Sequence, residues 1–106
     1  MITDEQLSEE LEYLSGTDEE AANAKALVKA LERKEKTVKA IGFLKAEGTV
    51  ASREHKAVSS VAWGEHIETY QNAVADSETL ENKRNTAALV VEVWRSLQAN
   101  RRRGNI

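Results

Sequence analysis

The stretch "LKAEGTVASRE" (Leu44–Glu54) decides how this chain folds. Gly48 suits the left-handed backbone position just past a helix end, where a Cβ would be strained. Thr49 offers a hydroxyl to cap the helix that follows, although Ser52, three residues on, is not the acid of a capping box. A connection as short as Glu47-Gly48-Thr49 makes the helices on either side antiparallel neighbours.

Upstream of the turn, the pattern predicts a helix over 17–47. Thr17 with Glu20 has capping-box spacing, and Asp18 and Glu19 suit the positive end of the helix dipole. Ala24, Leu27, Leu31, Val38 and Ile41 recur at 3–4 spacing, with Lys34 at one position of the row, which reads as a coiled-coil-like seam. Ser15-Gly16 reads as a break. It sets off a short helix over 3–14, capped by Thr3 with Gln6 and striped by Leu7, Leu11 and Leu14.

Downstream, no stop signal is evident from Val50 to about Asn100, so a single helix is expected over 49–101. Trp63, Ile67, Tyr70, Val74, Ser77, Arg84, Ala87, Val91 and Trp94 trace its inner row, with Leu80 beside it. At 1.5 Å per residue, this helix is roughly 75 Å long against roughly 45 Å for its partner. The expected fold is therefore all-α: an elongated, coiled-coil-like antiparallel helical hairpin. It has a short N-terminal helix, a very long C-terminal helix and a single helical domain spanning 1–106. The length mismatch leaves "AALVVEVW" (Ala87–Trp94), the densest apolar run, without a partner from the second helix. Either the first helix or a second copy covers it, so self-association as a dimer or larger is expected through Leu7, Leu11, Ala87, Val91, Trp94 and Leu97.

Composition agrees with long helices. Of 106 residues, 41% are hydrophobic, only 5% aromatic and 31% charged, with no proline. Burial must come from narrow seams rather than a broad core. With no cysteine, disulfides and thiolate metal sites are excluded. No apolar run approaches the ~18 residues of a membrane span, and the N-terminus is acidic rather than basic, unlike a signal peptide. An intracellular, soluble chain without a membrane partner is expected.

The net charge of −3 hides an asymmetry. Residues 1–20 carry eight acids and no Lys or Arg, whereas residues 83–106 carry six bases against Glu92 alone. Such polarity points to partner interactions or to self-complementarity.

Few residues suggest chemistry. His55 and His66 are separated by roughly 16 Å of helical rise, too far to share a metal. Glu65-His66-Ile67-Glu68 lacks the second histidine of a zinc-protease motif. Carboxylates alternate with lysines in i,i+4 order, as in Glu32/Lys36 and Glu35/Lys39, which describes a solvated face. There is no nucleophile motif and no glycine-rich phosphate loop. A non-enzyme is expected, with no catalytic residue, metal or cofactor. Gly42 and Gly64 fall inside predicted helices, each costing about 1 kcal/mol relative to Ala, which suggests close helix approach or a kink.

Arg95, Arg101, Arg102 and Arg103 remain as the candidate binding residues. Cations favour a helix C-terminus, and Gly104 suits its cap. The same cluster could contact phosphates in a salt-dependent, sequence-independent way, or engage an acidic protein surface.

Three blocks, "YLSGTDEEAA" (Tyr13–Ala22), "KTVKAIGFLKAEGTVASREHKA" (Lys36–Ala57) and "EVWRSLQANRRRGNI" (Glu92–Ile106), resemble a family of small helical proteins encoded by tailed bacteriophages. In that family the genes often sit in the early region, near replication and recombination functions. The resemblance implies action in the cytoplasm of an infected bacterium. It also implies an accessory role in DNA replication or recombination, exerted by binding nucleic acid or a phage or host protein of DNA metabolism. It transfers no catalytic residues.

Overall fold

The computed structural model describes residues 1–104, which form α1 (Asp4–Lys45), α2 (Val50–Val58) and α3 (Val61–Arg102) and contain no strand. The chain is an all-α helical hairpin. Its contacts divide it into two compact units: Met1–Ala22 with the stretch beginning at Glu78, and Asn23–Ser77. In the first, the start of α1 pairs with the end of α3. In the second, the remainder of α1 pairs with α2 and the start of α3.

α1 begins as its sequence requires. The Thr3 N–H donates to Gln6 Oε1 at 2.8 Å, and the Gln6 N–H donates to Thr3 Oγ1 at 3.1 Å, a reciprocal capping box. The expected break at Ser15-Gly16 is absent, and the predicted helices 3–14 and 17–47 are one. Gly16 lowers helix propensity without forbidding the helix. Thr17 is an interior residue rather than a cap, its hydroxyl donating back to the Tyr13 carbonyl at 2.7 Å.

The turn is as expected. Gly48 has φ +118°, and Thr49 Oγ1 accepts from the Ser52 N–H at 3.2 Å to start α2. The single helix expected over 49–101, however, is two. Ser59 Oγ donates to the His55 carbonyl at 2.8 Å, closing α2, and Ser60 Oγ accepts from the Trp63 N–H at 3.1 Å, opening α3. Paired serines offer the backbone an alternative to the helical ladder.

The long helices are therefore equal, at 42 residues each. No excess length leaves 87–94 unpartnered, because the start of α1 lies along it. The inner rows keep heptad spacing. In the first unit they include Leu7, Leu14, Thr17 and Ala21 of α1 with Leu80, Arg84, Ala87, Val91 and Trp94 of α3, all buried or half-buried. In the second, Ala24, Val28, Leu31, Val38 and Gly42 face inward with Ala57, His66, Tyr70 and Ala73. Leu27 and Ile41, expected in the seam, lie about half exposed, because Val28 and Gly42 take the inward positions. Gly42 allows a close approach, since a Cβ there would sit 3.1 Å from the Ala57 Cα. Gly64 shows no comparable crowding.

The core is thin. Among the described residues, Leu31, Ala57, Ala73 and Ala87 are the buried apolar ones, and none of the larger side chains is fully enclosed. The accessible surface is 7989 Å², against about 5,900 Å² for a compact chain of this mass.

Candidate functional site

The predicted basic residues divide. Arg95 is exposed but paired along its own helix, its Nη1 donating to Glu92 Oε1 at 2.8 Å, one helical turn away. Arg101, Arg102 and Arg103 are exposed and, among the described residues, meet no carboxylate within 4 Å. Arg101 Nη2 lies 3.9 Å from the Met1 sulfur. The cluster coincides with the helix end. The Gly104 N–H donates to the Arg101 carbonyl at 3.0 Å, and Gly104 has φ +72°. The arginines thus suit the helix dipole and still present their guanidinium groups to solvent.

The predicted self-association residues are largely occupied within the chain. Ala87 is buried, and Leu7, Val91, Trp94 and Leu97 are half-buried in the first unit; only Leu11 is exposed. Other exposed apolar residues include Leu27, Ile41 and Leu44 of α1, Val50 and Val58 of α2, and Val61, Leu89 and Val93 of α3.

Arg84 matters more than its place in the apolar row suggested. Its side chain is mostly buried, and Nη1 donates to the Leu14 carbonyl at 2.8 Å and to Thr17 Oγ1 at 2.7 Å. Nη2 reaches Asp18 Oδ1 at 3.2 Å. Of the eight acids in 1–20, Asp18 alone forms an ion pair among the described residues. The expected self-neutralisation of the acidic start by the basic end is limited to this one bridge. An arginine at a core heptad position is visible in the sequence, but its acceptors on Leu14, Thr17 and Asp18 come together only because α1 runs unbroken through Gly16.

The second unit contains a groove of about 620 Å³. Leu31, Val38, Ile41 and Ala62 contribute apolar lining, and Lys34, Lys45, Lys56, Glu65 and His66 contribute polar groups. Lys56 Nζ donates to the Glu47 carbonyl at 2.6 Å, and Arg53 Nε donates to the Phe43 carbonyl at 3.2 Å with its guanidinium 4.2 Å from the Phe43 ring centroid. These contacts fasten α2 to the end of α1. His66 is buried in the seam and His55 is exposed, so the two do not converge. Nearby, Tyr70 Oη donates to Glu32 Oε1 at 3.0 Å. That bond, then burial and the charges of Glu32 and Glu35, push the Tyr70 hydroxyl above its ordinary pKa of 10.0. The first unit has a shallower groove lined by Glu9, Glu10, Tyr13, Asn82, Lys83 and Thr86.

Among the described residues no group of three or more His, Cys, Asp or Glu side chains could hold a metal ion, and no helix is long and apolar enough to cross a membrane. No family model, curated protein or solved structure matches the chain.

Proposed function

We propose that the chain is a non-enzymatic accessory protein of bacteriophage DNA replication or recombination that binds a polyanion, nucleic acid first, through Arg101, Arg102 and Arg103. The observation that supports this reading is the exposure of three adjacent guanidinium groups at the end of α3, none paired with a carboxylate among the described residues. Phosphates would replace water there and release counterions, so affinity would fall steeply with salt and depend little on sequence. The non-enzymatic part rests on the absence of nucleophile and phosphate-loop motifs from the sequence. Titrating single- and double-stranded DNA at increasing salt tests the proposal. Binding that weakens with salt and drops in Arg101→Ala/Arg102→Ala/Arg103→Ala supports it; no binding at low salt rejects it.

A second reading, a self-associating assembly module that does not touch DNA, is favoured by the thin core and large accessible surface. It expects a concentration-dependent dimer or larger species whose formation is indifferent to DNA.

A further inference from the structure

The charges of α1 are divided along its length. Residues 4–22 hold eight acids and no base; residues 23–45 hold seven bases and two acids, Glu32 and Glu35. Tyr13, Glu20, Leu27, Lys34 and Ile41 recur every seven residues on this helix, and so form one row beside its inward-facing row. Leu27 and Ile41 in that row are about half exposed, and Glu20 and Lys34 are exposed. Ile41 and Lys34 also line the larger groove, and Tyr13 and Glu9 line the smaller one.

From this we infer that two copies dock through this row of α1, antiparallel, about a two-fold axis at Leu27, with the acidic start of each α1 lying on the lysine-bearing groove of the other. Positions equally spaced on either side of Leu27 then meet. Glu20 faces Lys34 of the second copy, Glu9 faces its Lys45, Tyr13 faces its Ile41, and Leu27 faces itself. The arrangement is isologous, so every contact occurs twice and assembly closes at two copies. A parallel pairing would set eight acids against eight acids, which the electrostatics oppose.

The inference rests on the self-associating reading, and the experiment separates the two. Sedimentation would be measured for the wild type, for Glu9→Lys/Glu20→Lys, for Lys34→Glu/Lys45→Glu, for their equimolar mixture, and for the chain carrying all four changes. All four positions are exposed, and circular dichroism checks that each variant remains helical. Each double variant is expected to weaken dimerisation by at least about tenfold, because attraction becomes repulsion at both charge pairs, each of which occurs twice. The mixture and the fourfold variant are expected to recover it. A wild type that stays monomeric at high concentration overturns both readings. A dimer that both double variants leave intact, or that neither the mixture nor the fourfold variant restores, overturns the antiparallel α1 contact alone. Leu27→Cys supplies a second readout, since the chain has no other thiol. Oxidation should link the copies through Leu27→Cys and not through Leu89→Cys.

Discussion

Arg84 donates to the Thr17 hydroxyl at 2.7 Å, and that hydroxyl donates to the Tyr13 carbonyl at 2.7 Å. The pair joins α3 to α1 across 67 residues of sequence, just past the Ser15-Gly16 step where a break was expected. Arg84 thereby ties α3 to one level of α1.

Arg84→Ala should cost roughly 2 kcal/mol in urea unfolding, because the Leu14 carbonyl and Asp18 lose a charged donor. Arg84→Leu should cost less, since apolar volume is kept, but it should broaden the amide spectrum of 1–22 by permitting other registers. Thr17→Val should cost about 1 kcal/mol. In the double variant the losses should not add, as expected for one network.

Glycine-to-alanine changes should have opposite signs at two positions of the same helix. Nothing lies within 4 Å of a Cβ built on Gly16, so Gly16→Ala should stabilise by up to about 1 kcal/mol through helix propensity. At Gly42 the new methyl would meet the Ala57 Cα at 3.1 Å and Cβ at 3.2 Å. Backbone cannot yield as a flexible side chain does, so Gly42→Ala should lower Tm despite the same gain in propensity.

The break at Ser59-Ser60 also gives a measurable effect. Ser60→Ala removes the oxygen that accepts from the Trp63 N–H and should cost about 1 kcal/mol, the usual loss for an N-cap. A gain in stability would mean that a continuous helix through this point is tolerated.

Tyr70 gives an alkaline signature. Its hydroxyl is raised above 10.0 by donating to Glu32. The folded state therefore holds this proton more tightly than the unfolded state. The associated stability is fully present below pH 10.0 and is lost as pH rises through the higher folded value. Tyr70→Phe should flatten that part of the stability–pH curve, as read by thermal melts across the alkaline range.

The parts of the fold written in local chemistry were legible in the sequence. Thr3 with Gln6, Gly48 with Thr49, and Gly104 each do what their residue types dictate within a few positions. The structure departs from the local pattern where local and distant preferences compete. Gly16 looks like a break until Arg84, far along the chain, takes the Leu14 carbonyl and Thr17 hydroxyl as acceptors. Ser59 and Ser60 look like ordinary helix residues because neither is followed by a capping-box acid. Leu27 and Ile41 fit a 3–4 row as well as Val28 and Gly42 do, and at Gly42 the close approach of Ala57 marks which row turns inward. Of the candidate site, the arginines at 101–103 were readable from composition. The pairing of Arg95 with Glu92 could have been anticipated from their i,i+3 spacing.

The contacts along this hairpin close loops of very different length. Phe43 and Arg53 are 10 residues apart, Glu32 and Tyr70 are 38 apart, Asp18 and Arg84 are 66 apart, and Met1 and Arg101 are 100 apart. Loop-closure entropy grows with separation, so the contacts nearest Gly48 should form first and those at the termini last. The Arg84 latch then fastens a segment that closes late and opens early. Amides of α1 before Thr17 should exchange with solvent ahead of those near Leu31, leaving the acidic first turns the part of the chain most readily lent to another molecule.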